Sequence, residues 1–326
     1  MTFFSVLFAF IVEQSRSFSL RNPIPILLQL HVKSIERYFD KSNLRGNIFF
    51  WIAIVLPWIS IVSLIYFFLY KINSFLGLIW NIVIIYFTLE FRQFSKNFSD
   101  IHLSLNNADI QQAREILNKW IEIDTNNMPV IEIVRYTLIN GIIKSHRHLF
   151  GILFWFTSPI GAAGAILYRI SEYLARNSLL SSIVDNSVSM SFSIFANRIF
   201  FLIDWVPARL TSLSFAIVGN FEDAIYSWRN YANRWSDSNI GVLLTACSGA
   251  LSTQLIRTML FEPLSFLENI PEIDADSIKD RSNFIPVDRN KSYTTIALQA
   301  AINLVWRAVI LWMALLFILT IFSCIS

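Results

Sequence analysis

The feature that most constrains this chain is one uncharged apolar run, IFFWIAIVLPWISIVSLIYFFLY, at residues 48–70. Its 23 residues exceed the roughly 20 that an α-helix needs to cross the hydrocarbon core of a bilayer. Lys71 ends the run, and a second apolar run follows at residues 75–89. The two runs predict a tight transmembrane hairpin with Lys71 at its turn. Asn81, in the middle of the second run, is expected to face another helix.

Composition puts the whole chain in the membrane class. Of its 326 residues, 55% are apolar and only 15% are charged, and the mean hydropathy is +0.52. The net charge of +3 is too small to indicate a nucleic-acid-binding surface. The two cysteines lie in separate apolar runs, which supports neither a disulfide framework nor a metal cluster. We predict an all-α, polytopic integral membrane protein of about five to seven transmembrane helices, with residues 1–326 forming a single membrane domain.

Four further apolar runs are candidate membrane segments. Residues 149–168 are rich in small residues and contain a proline, and residues 308–325 form a C-terminal run with Arg307 at its boundary. Residues 240–256 are short and contain several Ser, Thr and Gly, so they either span or are re-entrant. Residues 2–12 predict a short first helix. No Lys or Arg precedes them and no small-residue cleavage site follows, which argues against a secretory signal peptide.

The distribution of Lys and Arg predicts the orientation. If the first helix spans, residues 13–47 and 90–148 lie on the same face, and they carry six and seven Lys or Arg residues. Basic segments stay in the cytoplasm, so we expect a cytoplasmic helical segment at about 90–148. We expect an exposed loop at about 258–304, because acidic residues and prolines are frequent over much of this stretch.

The cytoplasmic segment contains two predicted helices. Residues 107–124 place apolar side chains on one face of a 3.6-residue period, with Asn107 as the expected cap. Residues 129–150 predict a second helix with Pro129 at its first turn. The apolar face of the first helix consists of Ile110, Ala113, Leu117, Trp120 and Ile121.

Charged residues near the start of the run at 201–219 need an explanation. A charge at membrane depth costs on the order of 2.5 to 3.5 kcal/mol even on the lenient insertion scale. In one interpretation, Pro207 starts the helix and Asp204 and Arg209 lie just outside the hydrocarbon. In the other, Asp204 and Arg209 form an inward-facing pair beside a polar cavity. Both interpretations predict a polar compartment at this end. Tyr168 would reach the same region only if the intervening segment folds back.

The sequence HRH at residues 146–148 is the next candidate for chemistry, since no phosphate loop or dinucleotide fingerprint is present. On a helix, its two imidazoles would point about 200° apart, which is poor spacing for a metal site. Two interpretations stay open: basic side chains at the membrane boundary facing phosphate headgroups, or contacts to a phosphorylated ligand. We predict no metal centre formed by protein ligands alone.

Five short words in collinear order carry a resemblance to a known family. They are RNPIPILLQLHVKSIERYF at 21–39, AREILNKWIEIDT at 113–125, GAAGAILYR at 161–169, VPARLT at 206–211 and DSNIGVLLTACSGAL at 237–251. These words resemble the CobD/CbiB cobalamin-biosynthesis membrane proteins and, more distantly, the AmpE signalling proteins. The resemblance covers nearly the whole chain.

The resemblance implies an enzyme of the adenosylcobinamide-phosphate synthase type. Such an enzyme joins adenosylcobyric acid to an aminopropanol phosphate with ATP and Mg²⁺, and we expect it in a bacterial inner membrane. The expected partners are these two substrates and the lipid bilayer, with no nucleic acid. Cations would hold phosphate oxygens and acids would hold Mg²⁺. Asp124 and Asp204 are the candidate catalytic residues, and the candidates for substrate or phosphate binding are Tyr168, Arg169, Arg209 and Asn239.

The chain departs from the family pattern at several acidic positions. Phe200 and Phe201 stand where the family typically has two consecutive aspartates, and Ile123 stands where it has an arginine. The sequence IIKSHRH replaces acidic words after the second helix. The alternative is therefore a non-catalytic, AmpE-like regulatory membrane protein that retains the same scaffold.

Overall fold

In the computed structural model, every regular element of the described residues is a helix, which confirms the all-α prediction. The structure describes residues 2–15, 23–35, 38, 44–89, 91–121, 123–184, 190–251 and 287–325. A π-helical turn at His146–Phe150 and a 3₁₀ turn at Ala232–Arg234 join some of the helices. The α-helices are α1 (Thr2–Ser15), α2 (Pro23–Ile35), α3 (Leu44–Ile72), α4 (Ser74–Thr88), α5 (Phe91–Asn106), α6 (Ile110–Ile121), α7 (Val130–Ser145), α8 (Gly151–Thr157), α9 (Ala162–Val184), α10 (Met190–Val218), α11 (Phe221–Tyr231), α12 (Ser238–Ala250) and α13 (Val287–Ile325).

Three of these helices contain segments long and apolar enough to cross a membrane: Leu44–Ile72, Met190–Val218 and Ile296–Phe322. Shorter apolar helical segments lie within α1, α2, α4 and α12. Much of the α3 surface is exposed and apolar, including Leu56, Leu64 and Phe68. An exposed apolar helix surface is typical of a side that faces lipid. The chain is therefore an integral membrane protein, and its total of five to seven spans stays a prediction.

The chain divides into two compact units, whereas the sequence predicts a single membrane domain. Unit 1 comprises Met1–Glu90, Arg147–Pro207 and Met313–Ser326, and unit 2 comprises Phe91–His146 and Ala208–Trp312. The helices α10 and α13 each pass from one unit to the other without a break. The single membrane domain stays a prediction.

Unit 1 contains the predicted hairpin, formed by α3 and α4 packed together. The turn lies at Asn73, two residues beyond Lys71: Asn73 is the non-helical cap, and its side chain accepts a hydrogen bond of 2.8 Å from the backbone N–H of Phe75. Asn81 is buried, as expected of a polar residue that faces other helices. The helices α1 and α9 also pack against α4.

The apolar run at residues 149–168 is not one helix. It breaks after Thr157, where Pro159 follows, and α9 begins at Ala162. Gly161 in this turn has φ of +63°, a left-handed conformation that favours glycine. The two helices then pack against each other, because Gly164 lets α9 approach the backbone carbonyl of Trp155 closely.

Unit 2 contains the two helices predicted in the cytoplasmic segment; its side of the membrane stays a prediction. In α6, Ala113, Leu117 and Trp120 are buried, which confirms the predicted face. The cap is Asp109 rather than Asn107: the helix begins at Ile110, and the Asp109 carboxylate accepts a 2.9 Å hydrogen bond from the backbone N–H of Gln112.

The helix α12 is a core helix of unit 2. Every residue from Gly241 to Ala250 is buried, and Gly241 and Gly249 allow close contact with the backbones of Ala232 and Asp223. Its 13 residues rise about 20 Å, which is less than the roughly 30 Å of a bilayer core. Whether residues 240–256 span or are re-entrant stays a prediction, since residues 252–256 lie outside the described residues.

The predicted loop at about 258–304 is wrong over its second half. Helix α13 begins at Val287, and its apolar side chains recur at helical spacing, with Ala297, Leu298, Ala301 and Leu304 buried. The predicted loop rests on the acidic residues that are frequent before residue 287, and it was extended too far into this apolar pattern. Residues 258–286 lie outside the described residues.

Candidate functional site

The site of unit 1 lies beside a proline within a long helix. Pro207 lies inside α10, so the interpretation that it starts the helix is wrong. Proline has no N–H to donate to the carbonyl four residues earlier, here that of Ile203. The indole N–H of Trp155 donates a hydrogen bond of 3.2 Å to this carbonyl instead. A side chain of α8 therefore satisfies the acceptor that Pro207 leaves open, which makes the proline tolerable in the helix.

The hydroxyl of Tyr168 donates a 2.7 Å hydrogen bond to Oδ1 of Asp204, and both residues are buried. The segment between them therefore folds back, the condition that the sequence left open. Gly151 makes room for this arrangement, because a Cβ at that position would collide with the Tyr168 ring and hydroxyl. The direct pairing of Asp204 with Arg209 stays a prediction.

Arg169 forms a buried ion pair with a carboxylate that the sequence analysis did not select. Its Nη1 lies 3.3 Å from Oε2 of Glu172, one helical turn further along α9, and the two side chains are only 8% and 4% exposed. Helix α9 is not among the three long candidate spans. Burial alone would raise the pKa of Glu172, but the positive charges of Arg169, His148, Arg176 and Arg147 outweigh burial and lower it. Glu172 is therefore ionised at neutral pH.

We call Arg147, His148, Arg169 and Arg176 around Glu172 the basic cluster. Each of these four residues acts electrostatically on the one carboxylate. Three are arginines, which stay charged at all physiological pH values. The cluster therefore carries more positive than negative charge. An excess of positive charge at a buried carboxylate favours the binding of an anion.

Phe200, which the resemblance places at a family acidic position, contacts this cluster. The guanidinium carbon of Arg147 lies 5.2 Å from the centre of the Phe200 ring, within the range of a cation–π interaction. The same ring lies 5.6 Å from the ring of Tyr168, centre to centre. Phe200 thus provides a favourable surface for the arginine without neutralising it.

The residues of the sequence HRH do not simply face lipid headgroups. His146 and His148 are both buried, and the π-helical turn that carries them changes the spacing assumed for an α-helix. The Nδ1 atom of His146 lies 2.9 Å from the hydroxyl of Thr211, within unit 2. His148 belongs to unit 1 and to the basic cluster.

The site residues of unit 2 are held around the start of α12. Nη1 of Arg209 donates a 3.0 Å hydrogen bond to Oδ1 of Asn239, which is buried. Asp237 caps the helix by accepting a 2.9 Å hydrogen bond from the backbone N–H of Asn239. The Pro-Ala-Arg and Ser-Asn words of the sequence are thus brought together by a side-chain contact.

Asp124 lies in an exposed loop between α6 and α7 of unit 2. Its carboxylate accepts a 3.1 Å hydrogen bond from the backbone N–H of Asn126, which forms a local turn. The neighbouring Thr125 is buried and donates a 2.8 Å hydrogen bond to the carbonyl of Arg114. Arg114 donates in turn to the carbonyl of Met128. The Asp-Thr word therefore closes this loop.

The structure brings Tyr168 together with Asp204, and Arg209 together with Asn239. Sequence analysis missed Glu172, although its place three residues after Arg169 is the spacing of a helical ion pair. Within the described ranges, no three His, Cys, Asp or Glu side chains are grouped closely enough to hold a metal ion.

Comparison with known proteins identifies the family. The sequence model of the CobD/Cbib protein family matches residues 23–281, most of the chain. The cobalamin biosynthesis protein CobD of Stutzerimonas stutzeri is 26% identical over 286 residues, which are 86% of each chain. The protein of the same name from Chromobacterium violaceum is 27% identical over 180 residues, 55% of this chain and 56% of the relative.

The cobalamin biosynthesis protein CobD of Leptospira interrogans is 28% identical over 256 residues, 72% of this chain and 76% of the relative. No solved structure matches the chain. The family match covers well over half of the sequence and includes all five words that carry the resemblance, apart from the first two residues of the first word. The chain therefore belongs to the CobD/Cbib family of cobalamin biosynthesis proteins.

Proposed function

We propose that this chain is an adenosylcobinamide-phosphate synthase of the bacterial inner membrane. In the proposed reaction, ATP activates the carboxylate of adenosylcobyric acid, and the amine of an aminopropanol phosphate attacks the activated carbonyl carbon. The new C–N bond forms, the amine loses a proton, and the group derived from ATP leaves. The names of the relatives support the pathway, and the basic cluster of unit 1 supports the chemistry.

The observation that carries the proposal is the excess of positive charge around the buried Glu172, to which buried Arg169, half-buried Arg147 and exposed Arg176 contribute. Two substrates of the reaction carry phosphate, whose oxygens are acceptors for bidentate arginine contacts. Arg169 is held in place by Glu172 at 3.3 Å. The hydroxyl of Ser171, buried in the same turn of α9, has no hydrogen-bond partner in the described part of the chain. A phosphate acceptor would suit both groups.

The remaining candidate residues have separate roles in the proposal. Tyr168 holds the Asp204 carboxylate, so that Asp204 is the candidate catalytic acid or base of unit 1. Arg209, oriented by Asn239, is a second candidate phosphate-binding group in unit 2. Asp124 has the weakest support as a catalytic residue, because it is exposed and its contact with Asn126 is local.

The described residues do not fit a Mg²⁺ site formed by protein ligands alone. Glu172 is paired with Arg169, Asp204 accepts from Tyr168, and no group of three metal-binding side chains occurs in the parts that the structure describes. In nucleotide enzymes Mg²⁺ commonly binds through one or two carboxylates and the phosphates of the substrate. We derive no step through the metal, and ATP itself is proposed as a substrate.

The test is complementation of a corrinoid-auxotrophic strain that lacks this step. The wild-type gene should restore growth, and membranes from these cells should form adenosylcobinamide phosphate from adenosylcobyric acid, aminopropanol phosphate and ATP. Arg169→Ala should abolish product formation. Arg45→Ala is the matched control in unit 1, since Arg45 is exposed and is not part of the basic cluster.

A wild-type protein that is present in the membrane but forms no product would refute the ligase proposal. It would favour the non-catalytic, AmpE-like alternative on the same scaffold. Equal loss of product in Arg169→Ala and Arg45→Ala would separate the activity from the basic cluster. Detection of the variants in the membrane by immunoblot distinguishes these outcomes from loss of folded protein.

A further inference from the structure

A cavity in unit 2 lies outside the residues used in the proposed reaction. It has a volume of about 230 Å³ and is lined by the ends of α10 and α12 and the middle of α13. Most of the lining is small or apolar, and the two polar side chains are Asn303 and Arg307. The family match ends at residue 281, before α13 begins.

The polar side chains of this cavity present hydrogen-bond donors. Nε2 of Gln299 donates a 3.1 Å hydrogen bond to Oδ1 of Asn303. This bond orients the Asn303 amide and does not use its two N–H donors. Arg307 has only N–H donors, and its guanidinium has no hydrogen bond or ion pair with any described residue. Asn303 and Arg307 are four residues apart on α13, so both lie on one face of the helix.

One main-chain acceptor beside these donors is already engaged. The carbonyl of Ala250 accepts a 3.0 Å hydrogen bond from the backbone N–H of Asn220. Gly219 permits this close approach, since a Cβ at Gly219 would lie 2.7 Å from the same carbonyl oxygen. The cavity therefore offers donors and a positive charge to a ligand, which selects an anionic acceptor.

The position of Arg307 in the sequence suggests how a ligand would reach it. Residues 308–325 carry no charge, and as a helix they rise about 27 Å, close to the thickness of a bilayer core. Arg307 directly precedes this uncharged segment, within the longer candidate span Ile296–Phe322. If residues 308–325 alone cross the hydrocarbon core, Arg307 reaches the depth of lipid phosphates. A phosphate group is the oxyanion that arginine binds with matching geometry.

We propose that Asn303 and Arg307 form a binding site for a phosphate group in the cavity between α10, α12 and α13. The site accepts either the phosphodiester of a phospholipid headgroup or the phosphate of a small water-soluble compound. Both provide the same oxyanion to the same donors. This proposal does not depend on the ligase reaction.

The test measures thermal stability of the full chain with two probes. In detergent micelles that contain no phosphate group and no added lipid, phosphatidylglycerol is added in steps; in the same lipid-free detergent, inorganic phosphate replaces chloride at constant ionic strength. We expect at least one probe to raise the Tm of the wild type. Arg307→Gln should bind that probe at least about tenfold more weakly, because it loses a charge-assisted hydrogen bond.

Arg229→Gln is the matched control, since Arg229 is an exposed arginine of unit 2 outside the cavity, and it should respond like the wild type. A response to phosphatidylglycerol alone assigns the site to lipid, and a response to inorganic phosphate assigns it to a soluble phosphate compound. No response of the wild type to either probe, or equal responses of wild type and Arg307→Gln, overturns the proposal.

A second variant keeps the test valid if Arg307→Gln does not fold. Ala300→Leu leaves both donors in place but fills part of the cavity that Ala300 lines. Loss of the response in Ala300→Leu supports a ligand inside the cavity. A full response in this variant overturns the proposal.

Discussion

Replacement of Tyr168 by phenylalanine removes one buried hydroxyl and leaves the aromatic ring beside Phe200 in place. The lost contact is the 2.7 Å hydrogen bond to the carboxylate of Asp204. A hydrogen bond to a charged group stabilises a protein by about 1.5 to 3 kcal/mol. With an unfolding entropy of about 2.1 cal/mol/K per residue, this loss corresponds to a Tm decrease of roughly 2 to 4 °C for 326 residues.

The assay compares thermal unfolding of wild type, Tyr168→Phe, Asp204→Asn and the double variant in the same detergent. If the two groups interact directly, the double variant should be less destabilised than the sum of the single variants by about 1.5 kcal/mol or more. Additivity within about 0.5 kcal/mol would refute the interaction. An unchanged Tm for Asp204→Asn, together with a higher Mg²⁺ requirement for activity, would assign this carboxylate to metal binding instead.

Three further predictions concern single contacts. Trp155→Phe should destabilise the protein by about 1 to 3 kcal/mol, because the carbonyl of Ile203 loses its donor. Pro207→Ala should reduce this loss by restoring a backbone N–H. Thermal unfolding of the wild type, the two single variants and the double variant measures both effects. Glu172 has a pKa below its ordinary 4.5, so its ionised form stabilises the folded state above about pH 4.5, and this contribution is lost as the pH falls through the lower, folded-state pKa. Glu172→Gln should therefore be less stable at neutral pH and lose less stability on acidification. Parallel curves of stability against pH for the two proteins would contradict this. Arg209→Lys should keep membrane expression but lower product formation, since lysine lacks the planar five-donor fork; full activity at equal expression would remove Arg209 from the site.

The membrane helices were predictable where the apolar runs are long and uncharged. Residues 48–70 carry no charge and are long enough to cross a bilayer as a helix, and the structure contains α3 there. At 149–168 the structure has its break at the proline that the sequence indicated, but hydropathy alone does not register the turn, which depends on Gly161 and on the close approach of Gly164 to α8. The prediction failed at 287–304, where a composition-based loop was extended into a helical apolar pattern.

The site was predictable in its residue types and less so in its partners. Tyr168, Arg169 and Asp204 were selected by resemblance, and two of them form the hydrogen bond described above. Tyr168 and Asp204 are 36 positions apart, and the residues between them carry no signal of that contact, because it depends on how the helices fold back. Glu172 lay within reach of sequence reasoning, since a carboxylate one helical turn after an arginine is a common ion pair.

Phe200 gives the basic cluster a property that an aspartate would remove. A carboxylate at this position would cancel the charge of Arg147, whereas the ring attracts the guanidinium and leaves its charge intact. A site that retains this charge attracts anionic substrates over distances comparable to the Debye length, about 8 Å at physiological salt. If the basic cluster binds a phosphorylated substrate as proposed, the association rate should decrease as ionic strength rises, and Phe200→Asp should weaken this salt dependence.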